Sequence, residues 1–154
     1  MNPSVEDRLN SVVRAIGGVI LPALPESASL AREQAMLAMG HIQIILAQMP
    51  ATQAFLVGEA EDVCRMGEAI VAHAAGGPEA KAATGALAAM LAARASVSAI
   101  WGAIDAVLCA LAVDGLPEAR EAVGAVVLEH GAARALKDRQ WFAAMAFDSD
   151  FSPA

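Results

Sequence analysis

The sequence predicts an all-α fold, an antiparallel bundle of four to six helices with one long helix near residues 78–113. Three observations carry that prediction. About a quarter of the 154 residues are alanine, which loses no side-chain entropy in a helix and lets helix axes approach closely. No segment alternates β-branched and polar residues as a half-buried strand does. Proline and glycine divide the chain into helical segments joined by short connections, which makes consecutive segments antiparallel neighbours.

The first helix is expected to begin near Asn2, with Pro3 in its first turn and Glu6 and Asp7 complementing the helix dipole. Leu9, Val12, Val13, Ile16, Val19 and Ile20 form its apolar face, the paired Gly17 and Gly18 permit close packing, and Pro22 and Pro25 end it. Ser27 or Ser29 is placed to cap a second helix that runs to about Met49 with apolar groups on nearly every side, as a central helix would. Pro50 interrupts it, and Thr52 is placed to cap a third helix reaching about Ala75, where Gly76, Gly77 and Pro78 impose a turn. Along this helix Leu56, Val63 and Ile70 repeat at heptad spacing, and Glu61, Arg65 and Glu68 mark the wet face.

The fourth helix is read as continuous from about Pro78 to Val113, with Met90, Val97, Ile104 and Leu111 in one heptad row and Leu87, Trp101 and Leu108 in the next. Ser96 and Ser98 allow a bend, and Asp114 and Gly115 end the helix. Pro117, Glu118 and Glu121 open the last helix, which Gly131 is expected to split. Residues 1–147 are read as a single helical-bundle domain around one core, and 148–154 as a C-terminal tail.

Seventeen acidic against ten basic side chains give a net charge of −7, which repels phosphate backbones, so nucleic acid is not an expected partner. Hydrophobic residues make up 57% and the mean hydropathy is +0.51, but aromatics are only 4%, so alanine inflates both figures. The uncharged stretch from Gln34 to Gly58 is interrupted by glutamines, His41 and Pro50, and Ala95 to Val113 carries Asp105 near its middle without cationic flanks. No membrane span is expected. Arg8 and Arg14 before the apolar run Ala15 to Leu24 resemble a secretory signal weakly, but Glu6, Asp7 and the prolines oppose that reading. The expected location is cytoplasmic. Cys64 and Cys109 are expected to behave as small apolar residues rather than as a disulfide.

Polar intrusions into the small-residue background supply the candidate sites. Arg94 shares the heptad row of Leu87, Trp101 and Leu108, and Asp105 lies one turn beyond Trp101. Charges amid apolar neighbours demand partners. A structural ion pair or simple exposure at a helix edge explains them, and so does a polar pocket in which Arg94 holds an anion and Asp105 accepts. Gln34, His41 and Gln48 recur at heptad spacing along one stripe, which lines a cleft or faces solvent, so Gln34, His41, Arg94, Trp101 and Asp105 form the candidate ligand set. His41, His73 and His130 fall on different helices without metal-ligand spacing, and no Glu stands three residues before a His. No metal, cofactor or catalytic residue is assigned, and neither a Gly-x-Ser-x-Gly elbow nor a phosphate loop occurs. Trp141, Phe142, Met145, Phe147 and Phe151 concentrate aromatic and flexible apolar surface in the final stretch, a composition that serves an association site or docks the tail onto its own chain.

The run Val19-Ile20-Leu21-Pro22-Ala23-Leu24 followed by Leu30-Ala31-Arg32-Glu33-Gln34-Ala35 resembles a family of small, uncharacterised bacterial helical proteins. Members of that family are associated with aminoglycoside-phosphotransferase-like kinases and acyl-CoA dehydrogenases. The resemblance covers at most the first third of the chain, implies an accessory role to an enzyme of acyl-CoA metabolism, and supplies no catalytic residue. The expected function is a non-enzymatic accessory or interaction protein that self-associates, a dimer being the simplest form. A small-ligand-binding protein or simple enzyme with a pocket around Arg94, Asp105 and His41 is the alternative.

Overall fold

The computed structural model describes residues 2–143, which are helical with short connections and carry no β-strand beyond one isolated bridge. Met145, Phe147 and Phe151, three of the five residues assigned to an aromatic interface, lie outside the described residues. The helices are α1 (Val5–Ala15), α2 (Leu21–Ala23), α3 (Ser29–Gln48), α4 (Thr52–His73), α5 (Pro78–Ala92), α6 (Val97–Asp114) and α7 (Pro117–Trp141). By contacts the described residues form two compact units, 53–137 and 2–52 with 138–143.

In the unit 53–137, four helices share one core. Val63, Met66 and Ile70 of α4, Leu87 of α5, Ile100, Ile104, Val107 and Leu111 of α6, and Ala119 and Val123 of α7 are all buried. The heptad rows therefore place Val63, Ile70, Leu87, Ile104 and Leu111 correctly, whereas Leu56 and Met90 are exposed. Glu61, Arg65 and Glu68 face solvent as expected. By length and composition α6 is apolar enough to cross a membrane, and a third of that stretch is buried within the protein.

One end of this bundle is stitched by glycine. Gly77 N–H donates to the Asp114 carbonyl at 2.9 Å and Leu116 N–H to the Ala75 carbonyl at 2.9 Å, forming the Gly76 and Gly115 bridge. A Cβ on Gly76 would sit 2.7 Å from the Asp114 carbonyl oxygen, and one on Gly115 would sit 2.5 Å from the Leu111 oxygen. The same Asp114 turns its carboxylate onto the Glu79 and Ala80 amides at 2.8 and 2.9 Å, satisfying first-turn donors of α5 that its own N-cap, Gly77, leaves open.

The continuous helix expected over 78–113 is two helices, α5 and α6, packed as a hairpin. Arg94 N–H bonds to the Leu91 carbonyl and Ala95 N–H to the Met90 carbonyl, both at 3.0 Å, and Arg94 has φ 49°. That is a Schellman ending with arginine in the left-handed position that glycine usually fills. Ser96 then caps α6, its Oγ accepting from Ala99 N–H at 3.3 Å. Gly131 does not split α7, because tertiary packing outweighs its modest helix penalty.

The N-terminal unit is assembled differently. Ser4, rather than Asn2, caps α1 in a reciprocal capping box with Asp7, and the Ser4 side-chain and backbone hydrogen bonds hold the Asp7 carboxyl below its usual range. After α1 the chain widens into a π-helical turn, Ile16–Ile20, in which Leu21 N–H donates to the Ile16 carbonyl. Pro22 follows and has no N–H to give. Gly17 admits the Met39 sulfur, which would lie 3.1 Å from a Cβ there, while Gly18 is open. Neither Ser27 nor Ser29 caps α3, whose N-cap is Ala28. Thr52 does not cap α4 either; its hydroxyl donates back to the Gln48 carbonyl at 2.9 Å across the 3-10 turn made by Met49, Pro50 and Ala51. Arg32 donates to both the Leu21 and Leu24 carbonyls at 3.1 Å, so the Leu-Pro-Ala-Leu and Arg-Glu elements of the N-terminal stretch are bound to each other.

Candidate functional site

The densest polar arrangement in the described residues lies between α4 and α7. Glu59 and Asp62 stand three residues apart on α4, and Arg134 and Lys137 stand three apart on α7, so each pair projects from one helix face. Lys137 Nζ lies 2.9 Å from Glu59 Oε1 and 2.7 Å from Asp62 Oδ2, and above the Phe55 ring at 5.1 Å. Arg134 pairs with Glu59, and Arg65 with Asp62. The helices run antiparallel here: the partners of Glu59 and Asp62 lie at the C-terminal end of α7.

These contacts set the ionisation of the pair. The Lys137 hydrogen bond, with the charges of Lys137, Arg65 and His130 adding to it, outweighs burial and holds the Asp62 carboxyl below its usual range. Burial acts to lower Lys137, but its hydrogen bonds to Asp62 and Glu59 prevail and hold it above the ordinary lysine value.

Beside the network is a cleft of about 300 Å³, lined on α4 by Asp62, Arg65, Met66 and Ala69 and on α7 by Val126, Glu129, His130, Ala133 and Arg134. The His130 and Trp101 rings make a T-shaped contact, with centroids 5.8 Å apart and planes at 64°. His130 Nε2 is buried and has no hydrogen-bond partner.

The ligand set read from sequence is distributed over both units. Gln34 and His41 are exposed on α3 in the N-terminal unit. Arg94 and Asp105, in the other unit, are exposed and carry no ion pair among the described residues, so neither is the buried charge that would demand a partner. Arg94 was aligned with Trp101 and Leu108 by extending one helical register across the turn at Arg94, whereas Asp105 does follow Trp101 by one turn on α6 but faces solvent. Trp101 alone of the five borders a polar cluster, through His130. Of the aromatic interface residues, Trp141 is half-buried and accepts the Gln48 Nε2–H at 3.1 Å through its carbonyl, and Phe142 is exposed. No group of three potential metal ligands occurs among the described residues, and Cys64 and Cys109 are both free thiols. The Glu59, Asp62, Arg134 and Lys137 set was missed, although complementary charges at identical three-residue spacing on two helices were visible in the sequence.

The N-terminal unit presents a second candidate surface. Among the described residues, every buried residue lies between Val63 and Val123, in the other unit. On α3, Leu30, Leu37 and Ile45 are 68%, 49% and 47% exposed and share one face with Gln34 and His41.

No family model matches the chain, and neither a curated protein nor a solved structure does so. The N-terminal resemblance therefore rests on its own residues.

Proposed function

We propose that the protein is a non-enzymatic helical interaction module that associates with a second copy of itself through the outer face of α3. The observation that carries this reading is the uneven distribution of burial. The unit 53–137 has a core, whereas residues 2–52 fold into helices and bury no side chain fully. Helices of this length gain their stability in water from covering an apolar face rather than from propensity. Leu30, Leu37 and Ile45 are that uncovered face.

Charge favours a like copy over other occupants. The stretch from Gln34 to Gly58 contains no charged residue, so two chains of net charge −7 meet there without local repulsion. A lipid surface would call for a cationic rim. The sole cation of α3, Arg32, is engaged with the Leu21 and Leu24 carbonyls. A stable dimer would bury about 1,200 Å² or more in total.

Light scattering on the eluting full chain tests the reading. The wild type is expected as a dimer, and Leu37→Glu with Ile45→Glu as a folded monomer. Dimers that persist unchanged in the double variant would contradict the assignment to α3.

A further inference from the structure

The cleft between α4 and α7 holds groups that the association surface does not use. We propose that it binds a small organic monocarboxylate, its carboxylate taken by Arg65 and His130 Nε2 and its apolar body laid on Met66, Ala69 and Val126. The volume of about 300 Å³ is at the small end of ligand pockets and suits a short acid rather than a nucleotide.

The donors are of two kinds. His130 Nε2 is a buried ring nitrogen without a hydrogen-bond partner, on a ring packed in a T-shaped contact with Trp101. Buried polar atoms in folded proteins are ordinarily paired, and His130 lines the cleft, so a group that enters there is placed to supply the partner. With its proton on Nε2 it donates to a carboxylate oxygen. Because the atom is covered, contact takes a rotamer change among the lining side chains, a common event on binding. Arg65 is 69% exposed at its side chain and gives Asp62 one nitrogen, leaving further N–H donors for an anion.

The charge balance disfavours a dianion. Asp62 and Glu129 also line the cleft and offset Arg65 and Arg134, so a phosphate dianion meets more repulsion than a carboxylate does. The apolar lining, with Met66 at 5% exposure, favours a hydrocarbon body over a polar one.

Trp101 fluorescence in a Trp141→Phe background of the full chain, titrated with hexanoate, provides the test. Saturable quenching is expected with a dissociation constant of about 1 mM or tighter. Arg65→Ala is expected to weaken binding about tenfold, and His130→Phe to abolish it while leaving thermal stability equal or raised. Ala133→Phe, which fills the cleft from an exposed position, is expected to abolish binding as well. No saturable response to hexanoate or benzoate overturns the proposal, as does equal binding of hexanol or inorganic phosphate. Because the cleft lies within residues 53–137, a monomeric protein that binds hexanoate would overturn the dimer alone.

Discussion

Lys137 holds Asp62 across the α4–α7 interface, its ammonium 2.7 Å from Oδ2, and the same ammonium reaches Glu59 at 2.9 Å. One cation thus closes the bundle end opposite the glycine bridge. Side chains about a quarter exposed place this pair between a surface salt bridge and a buried one. Lys137→Met is expected to destabilise the unit by about 1–2 kcal/mol, and urea unfolding of the variant against wild type measures it.

The pH dependence of this pair has two limbs. The Asp62 pKa is lowered by folding, so its contribution is present above the ordinary value of 3.8 and disappears as pH falls through the lowered one. The Lys137 pKa is raised, so its contribution is present below 10.5 and disappears as pH rises through the raised one. Melting temperatures of wild type and Asp62→Asn are expected to differ most between those limits and to converge in acid. A constant difference down to the lowest pH would show that Asp62 acts through something other than its charge.

Arg94 occupies a left-handed position at φ 49°, where a side chain costs about 1 kcal/mol relative to glycine. Arg94→Gly is expected to stabilise the protein by roughly 0.5–1 kcal/mol, because the exposed guanidinium makes no ion pair among the described residues. Calorimetric melting checks this. A loss of stability would mean that the exposed side chain contributes more than its backbone strain costs.

Asp114 joins two helices that its place in the sequence does not suggest. It ends α6, and both its carboxylate oxygens accept amides at the start of α5, thirty-four and thirty-five residues earlier. Asp114→Ala is expected to cost about 1–2 kcal/mol, with faster amide exchange at Glu79 and Ala80. Asp114→Asn, which keeps one acceptor, should recover part of the loss.

The sequence made the helical class legible because alanine content, heptad rows and proline positions all act locally. Val63, Ile70 and Ile104 are buried where periodicity put them. The break at Arg94 was hidden for a physical reason: the left-handed cap lacks its usual glycine, so the register was carried across it and set Arg94 in one row with Trp101 and Leu108. The site was hidden for another reason. Glu59 and Lys137 are 78 positions apart, and single-helix patterns do not show which faces meet. Matching the spacing of Glu59 and Asp62 to that of Arg134 and Lys137 would have supplied the pairing.

Sedimentation equilibrium of the full chain over a wide concentration range tests most directly whether the uncovered face of α3 serves self-association. The expected result is a reversible approach to twice the chain mass of 15.7 kDa, displaced to higher concentration by Leu37→Glu. A mass that stays at the single-chain value at the highest concentration would contradict it.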